Sequence, residues 1–334
     1  MRVLVTGGAG FIGSAFVRNL LGGAYPQLPA ARVTVLDLLT YAGNLANLAP
    51  VAHRADLRFV HGDIGDPGLV ADLMRDTDLV VHFAAESHVD RSISAARDFV
   101  RTNVQGTQVL LDAALAAGRP TFVHVSTDEV YGSIDSGSWT ERQPLAPNSP
   151  YAASKAASDL LALAYHRTHG LDVRVTRCSN NYGPHQHPEK VLPRFVTNLL
   201  DGLPVPLYGD GGNVREWLHV DDHCRAVALV AGAGRPGGVY NIGGGTELSN
   251  RQLTDRLLAL CGADWSAVRP VADRKGHDRR YSLDSTLIEG ELGFTPLVPF
   301  DTGLAATVAW YRDNRDWWEP SRSGGRGLHL VAGA

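Results

Sequence analysis

Residues 3–14 read Val3-Leu4-Val5-Thr6-Gly7-Gly8-Ala9-Gly10-Phe11-Ile12-Gly13-Ser14. A short apolar run leads through clustered glycines into Ala15-Phe16-Val17-Arg18-Asn19-Leu20-Leu21, which has the composition of a helix. Counted from Gly8 the spacing is G-x-G-x-x-G, and counted from Gly7 it is G-x-x-G-x-x-G. Both registers carry the same physics: without side chains the backbone can turn tightly and approach a pyrophosphate resting at the helix N-terminus. A Gly-rich turn with no ligand has a similar composition. The strand before, the helix after and an acid downstream argue for the dinucleotide site.

That acid is Asp37, closing a predicted strand Val33-Thr34-Val35-Leu36 roughly twenty residues beyond the last glycine, as a ribose-binding carboxylate requires. It would accept hydrogen bonds from the adenosine ribose and repel a 2′-phosphate, so the expected cofactor is NAD rather than NADP. A third strand is expected over 57–64, with Asp63 placed to meet the adenine and Ile64 beside it. A fourth over 79–83 ends in Ala84-Ala85-Glu86-Ser87-His88, where small side chains would let a cofactor lie close. Residues 90–117 read as mostly helical, with Thr102 and Asn103 inside, and further strands are expected at 121–126 and 172–177. Strands alternating with helices, without internal repeats, predict an α/β, doubly wound, parallel Rossmann-type sheet.

Composition narrows the remaining classes. The 334-residue chain is 44% hydrophobic and 20% charged with a net charge of −4, which argues against disorder and against a basic nucleic-acid footprint. Its length suits one large domain and a smaller one. The expected division is a dinucleotide-binding domain over 1–178, to which later segments return, a smaller mixed α/β C-terminal substrate domain over 179–318, and a loose Gly- and Ser-rich tail over 319–334. Cys178, Cys224 and Cys261 lie far apart and read as reduced, inert thiols. The histidines form no ligand cluster, so His88 and its fellows are expected in polar structural contacts, with no metal. With no signal-peptide pattern and no apolar run of membrane-spanning length, a soluble cytoplasmic protein is expected.

Chemistry concentrates between Thr121 and Lys155. Thr127, Asp128 and Glu129 follow the strand Phe122-Val123-His124-Val125, at the carboxyl edge where open α/β sheets hold their reacting groups. Asn148-Ser149-Pro150 offers turn and cap residues for a helix in which Tyr151 and Lys155 stand one turn apart. An ammonium there would favour the phenolate, which would make Tyr151 a base for a hydroxyl proton. A Tyr-x-x-x-Lys spacing also arises by chance on helices, and a carboxylate pair after a strand is often a solvated loop; the dinucleotide motif raises both.

Beyond 178 the chain turns polar and rich in Gly and Pro, which suits loops over a pocket. Val214–Val220 reads as a strand. Its Arg215 is either exposed or a bidentate phosphate ligand. The run Asp273-Arg274-Lys275-Gly276-His277-Asp278-Arg279-Arg280 is the densest charge cluster, either a solvated loop or an anion site that closes over a diphosphate.

Together, Gly7 to Gly13, Ala84 to Ser92, Ser126-Thr127-Asp128-Glu129-Val130-Tyr131-Gly132, Tyr151-Ala152-Ala153-Ser154-Lys155 and Cys178 to Pro184 resemble the extended short-chain dehydrogenases/reductases. Within them the chain is similar to the dTDP-glucose 4,6-dehydratase family over roughly residues 1–318. The nearest likeness is to versions from deoxysugar pathways of antibiotic-producing bacteria. The resemblance implies a lyase that turns dTDP-glucose into dTDP-4-keto-6-deoxy-glucose. It implies Tyr151 as base at the C4 hydroxyl with Lys155 beside it, Thr127 holding the C4 oxygen, Glu129 as base at C5 and Asp128 as acid at C6. It implies NAD contacts from Gly7, Gly10, Phe11, Ile12, Gly13, Asp37, Asp63, Ile64, Ala84, Ala85, Thr102, Tyr151, Lys155 and Asn181. Sugar-nucleotide contacts are implied for Ser87, Thr127, Asn180, Lys190, Val191, Pro206, Leu207, Tyr208, Arg215, Asn250, Asp273 and His277. Val191 stands where Leu is frequent, and Lys275 where Pro is usual. A homodimer is implied, pairing helices near 95–117 and 151–168. The alternatives are another NDP-sugar 4,6-dehydratase, a 4-epimerase, or an NAD-binding regulatory protein without catalysis.

Overall fold

The computed structural model describes residues 1–29 and 31–322. Twelve strands are present among them: β1 (Arg2–Thr6), β2 (Arg32–Asp37), β3 (Leu57–His61), β4 (Leu79–His82), β5 (Thr121–Thr127), β6 (Val173–Cys178), β7 (Asn180–Tyr182), β8 (Val205–Tyr208), β9 (Val214–His219), β10 (Val239–Ile242), β11 (Thr246–Ser249) and β12 (Val268–Val271). Val3, Leu4 and Val5 are consecutive and all buried, the pattern of a parallel strand covered on both faces. Seven strands form one sheet in the order β10-β6-β5-β4-β1-β2-β3, every pairing parallel.

The chain leaves β1 towards β2 and β3, then returns to β4 on the other side of β1. This reversal opens a crevice at the carboxyl ends of β1 and β4, where open α/β sheets bind ligands. The glycine loop follows β1, while Asp128 and Glu129 follow β5 in a short 3₁₀ turn, Asp128–Tyr131. Both chemical stretches therefore meet at one edge. Apolar cores cover the two faces of the sheet, one around Val5, Phe16 and Val227, the other around Leu4, Leu110 and Phe122.

A second lobe has its own core around Trp217, Leu257, Phe300 and Trp318. It contains the three-stranded sheet β11-β9-β7 and the parallel pair β12-β8. The helix Val220–Ala233 and β10 return from it to the main sheet.

Three expectations change. The helical stretch 90–117 is broken at Ala95 and passes through a π-helical segment, Val100–Gly106, a wide turn of the kind found at functional sites. Within it Asn103 accepts from the Glu86 N–H at 2.9 Å and donates to Ser154 Oγ at 2.9 Å, which anchors the bulge to the cleft. The polar run after 178 contains β7, held parallel to β9. The tail expected from 319 begins instead inside a helix, Arg315–Arg322. Trp318 holds that helix, because it is buried and its indole N–H donates to Tyr311 O at 2.8 Å. The rest of the expected tail, 323–334, lies outside the described residues.

Candidate active site

One elongated cleft runs along the carboxyl edge of the main sheet. At one end lie Gly7, Gly10, Phe11, Ile12, Gly13, Asp37, Asp63, Ile64, Ala84, Ala85 and Thr102. At the other lie Ser87, Thr127, Asp128, Glu129, Tyr151, Lys155, Asn180, Asn181 and Lys190. The structure thus brings together residues that span almost two hundred positions of sequence.

The glycine end is a cradle that side chains would fill. Gly7 has φ +71°, and a Cβ there would sit 2.6 Å from Ala84 N. A Cβ on Gly13 would sit 2.3 Å from Gly7 O. Asp37 is buried and accepts from the backbone N–H groups of Ala9 (2.9 Å) and Leu39 (2.8 Å). A carboxylate offers about four acceptor directions, so Asp37 keeps capacity for ribose hydroxyls. Asp63 accepts from Gly65 N–H at 2.8 Å and from Arg101 at 2.6 Å. These residues fit a dinucleotide with free ribose hydroxyls.

The catalytic end is built from β5, its 3₁₀ turn and the helix Pro150–His169, whose first turn Ser149 caps by accepting from Ala152 N–H at 3.1 Å. Asp128 is almost fully buried. Burial, then the charges of Glu129 and Glu216, push its pKa well above the ordinary carboxylate value, against the Thr127 hydroxyl and Arg215. Burial also holds Glu129 above its ordinary value, with Arg274, Arg215 and Lys190 opposing the rise and Asp278 adding to it. Both carboxyls are raised, Asp128 the more strongly, because anions add to its burial while cations offset that of Glu129, and such a difference sets an acid apart from a base in adjacent carboxyls.

Tyr151 corrects one expectation. Burial, then Glu129, Cys178 and Asp128, push its phenol well above the ordinary value, while a hydrogen bond with Thr127 pulls the other way. The Lys155 ammonium donates to Val125 O at 2.8 Å, and burial lowers its pKa to about 8, with Asp159 opposing. Burial and the surrounding carboxyls hold the phenol above its ordinary value, so these protein groups alone do not favour the phenolate.

Val191, Pro206, Leu207, Tyr208, Arg215, Asn250, Asp273 and His277 lie outside the cleft lining, in the second lobe. Arg215 is buried rather than exposed, donates to Asp278 O at 3.0 Å and covers the Tyr281 ring. His277 Nδ1 and Asp273 Oδ1 are 2.6 Å apart, and the His277 ring meets Tyr208 edge-on. Leu207 belongs to the second core, Asn250 opens a helix and donates its N–H to Asn213 O at 2.9 Å, and Val191 is partly exposed. His88 makes structural contacts, accepting from Arg91 N–H and facing Glu189 at 3.5 Å. Among the described residues, no group of three or more His, Cys, Asp or Glu side chains is placed to hold a metal ion.

Glu216 and Arg274 escaped the sequence reading as parts of the field on Asp128 and Glu129. Glu216 is buried in β9 and accepts from Gly245 and Leu283 N–H groups at 2.8 and 2.9 Å. Its signal was a carboxylate beside an arginine in an otherwise apolar strand.

Known proteins share this arrangement. A profile of the GDP-mannose 4,6 dehydratase family matches residues 4–307. A dTDP-glucose 4,6-dehydratase of Streptomyces antibioticus is 67% identical over 321 residues, 96% of this chain and 95% of that protein. One of Streptomyces niveus is 63% identical, over 97% of this chain and 96% of that protein. The crystal structure of DesIV, a dTDP-glucose 4,6-dehydratase of Streptomyces venezuelae with NAD and TYD bound, superposes with a TM-score of 0.95 at 70% identity, covering 96% of this chain and all of that one. Similarity of this extent, joined to a glycine cradle and an Asp-Glu pair beside Tyr151, places the chain in the dTDP-glucose 4,6-dehydratase family.

Proposed function

We propose that the protein dehydrates dTDP-glucose to dTDP-4-keto-6-deoxy-glucose, using NAD as a cofactor restored in each cycle. The observation that carries this reading is the Asp128–Glu129 pair, two adjacent carboxyls that line the same cleft as Tyr151, with Asp128 the more strongly raised. A 4-epimerase would use Tyr151 and Lys155 but has no need of both carboxyls.

NAD, held by the glycine cradle, Asp37, Asp63 and Thr102, supplies the acceptor for the electron pair leaving C4 and the donor that returns it to C6. Tyr151 takes the C4 hydroxyl proton as a phenolate, a form that the positive charge of bound NAD would favour together with the Lys155 ammonium, while Thr127 holds that oxygen. The new C4 ketone acidifies the neighbouring C5–H, so a carboxylate is a sufficient base, and Glu129 removes that proton. Hydroxide is a poor leaving group, so Asp128, kept protonated by burial and by Glu216, gives its proton to the C6 oxygen. Glu129 then returns a proton to C5. The burial of Asp128 and Tyr151 keeps bulk water from competing in these transfers.

The sugar-nucleotide is assigned to Ser87, Asn180 and Lys190 in the cleft, continued by Val191, Pro206, Leu207, Tyr208, Arg215, Asn250, Asp273 and His277 in the second lobe. The chain is assigned a homodimer. Ile93, Val100 and Leu160, exposed apolar side chains on the helical segments near 95–117 and 151–168, supply a surface for that pairing. Among the described residues no helix is long and apolar enough to cross a membrane, and a cytoplasmic location fits a nucleotide-sugar substrate. The test offers dTDP-glucose, UDP-glucose and GDP-mannose separately. A 4-keto-6-deoxy product from dTDP-glucose supports the reading, and a C4-inverted sugar without loss of water contradicts it.

A further inference from the structure

The turn that carries Asp128 and Glu129 ends on Tyr131, a fully buried residue that stands outside the cleft lining. Its phenol donates to Asn241 Oδ1 at 2.8 Å and accepts from an Arg177 N–H at 2.7 Å. Arg177 and Asn241 are cross-strand partners in β6 and β10, so the hydroxyl spans two neighbouring strands of the main sheet. Its ring also meets two flat groups, the Arg177 guanidinium at 4.8 Å and the Trp139 ring at 5.9 Å between centres.

These anchors are themselves fixed. Arg177 Nε donates to Asp159 Oδ2 at 2.9 Å, and His124 Nε2 stands 3.2 Å from the other oxygen of that carboxylate. Asn241 donates from its side-chain amide to Trp139 O at 2.8 Å and from its backbone N–H to Glu141 Oε1 at 2.9 Å. Just past the ring, Gly132 has φ +81° where a Cβ would sit 2.4 Å from Ala146 O, and Ala146 N–H donates to Val130 O at 3.0 Å. None of Arg177, Asp159, His124, Asn241 and Trp139 lines the cleft. A 3₁₀ turn has poorer internal hydrogen-bond geometry than an α-helix, so contacts outside the turn set where it lies.

We propose that Tyr131 is a positioning residue for the elimination step: its phenol, clamped between Arg177 and Asn241, sets the reach of Asp128 towards C6 and of Glu129 towards C5. The inference rests on the dehydratase reading. Both carboxyls belong to one four-residue turn, so a single anchor aligns the pair. Tyr151 and Lys155 stand on a separate helix with its own cap at Ser149, so oxidation at C4 has a different support. The phenol moves no proton, and no bond to it forms or breaks. Two neighbouring carboxyls that act on two neighbouring carbons tolerate little displacement, since a shift of about 1 Å can cost roughly 10²-fold in rate.

The test separates the two steps in rapid-mix experiments on the NAD-loaded enzyme with dTDP-glucose. Tyr131→Phe keeps the ring on Trp139 and the Arg177–Asp159 pair, and removes both phenol hydrogen bonds. Its expected behaviour is C4 oxidation at the unaltered rate, elimination slower by about tenfold, reduced nicotinamide accumulating by its absorbance, and an unchanged KM. Asn241→Ala, which removes the acceptor and keeps Tyr131, should accumulate reduced nicotinamide as well. Tyr240→Phe removes a phenol from Glu291 on the strand that holds Asn241, so it controls for stability alone and should show no accumulation. If Tyr131→Phe and Asn241→Ala lower the melting temperature but leave both steps at normal rates, or slow both by one factor, the proposal falls. A wild-type enzyme that makes no 4-keto-6-deoxy product would instead overturn the dehydratase reading, before any variant is compared.

Discussion

The indole N–H of Trp317 donates to Asn47 Oδ1 across 2.8 Å, and the Asn47 amide in turn donates to Ala9 O at 2.9 Å. The helix Arg315–Arg322, packed in the second lobe, therefore steadies the glycine loop at the other end of the chain. Trp317→Phe keeps the ring and removes the donor. The expected result is NAD affinity weaker by about 1 kcal/mol, roughly fivefold, measured by titration with the dinucleotide. Trp265→Phe removes an indole donor to Asp255 elsewhere in the second lobe, and should leave that affinity unchanged. Equal affinities in all three proteins would refute the link.

The carboxyl pair predicts two different failures. Asp128→Asn should slow product formation by about 10²- to 10⁴-fold while C4 oxidation survives, so reduced nicotinamide accumulates and is read by its absorbance. Glu129→Gln should also oxidise C4 but leave the C5 hydrogen unexchanged in deuterated water. Product formation at the normal rate in Asp128→Asn would remove Asp128 from its role as acid.

Lys155 predicts a pH dependence of both activity and stability. Its pKa falls from 10.5 to about 8 on folding, chiefly through burial. The folded state therefore binds fewer protons than the unfolded state between these values, and stability from this group rises with pH across that window. Below about 8 the full cost of the buried ammonium is present. Lys155→Met should be more stable than wild type at neutral pH by thermal unfolding, and the gap should narrow between pH 8 and 10.5. Activity has the opposite sign, with kcat/KM falling as pH rises through about 8 and the ammonium is lost. A gap that widened with pH would contradict the assignment.

Leu160 is more than half exposed on the helix Pro150–His169. If the proposed homodimer pairs through this helix, Leu160→Glu should yield a monomer in sedimentation or scattering measurements where the unaltered protein is a dimer, with the helix content intact. Unchanged mass would argue that the pairing surface lies elsewhere.

Much of this site was legible in the chain because its parts are local. The strand, glycines and helix of 3–21, the acid at Asp37, and Tyr151 with Lys155 are each set by spacing within one element, and the structure places them in one cleft. In the second lobe, charge alone singled out Arg215 and the run around Asp273 without saying what they face, and Val191, Pro206, Leu207, Tyr208 and Asn250 were reachable only through resemblance. The field on the carboxyl pair was hidden for a related reason: Glu216 reaches Asp128, and Arg274 reaches Glu129, only through tertiary folding. The raised phenol was hidden too, because helical spacing reports neighbours on one element, and not the burial and carboxyls converging on Tyr151 from others. The π-helical turn at Val100–Gly106 likewise leaves no mark in the helical periodicity.

The most direct measurement follows the hydrogen on C4. dTDP-glucose carrying deuterium at C4 should yield a 4-keto-6-deoxy product with that deuterium at C6 of the same molecule, without added reduced cofactor and without crossover between labelled and unlabelled substrate. Deuterium retained at C4 beside an inverted hydroxyl, or lost to solvent, would contradict the account.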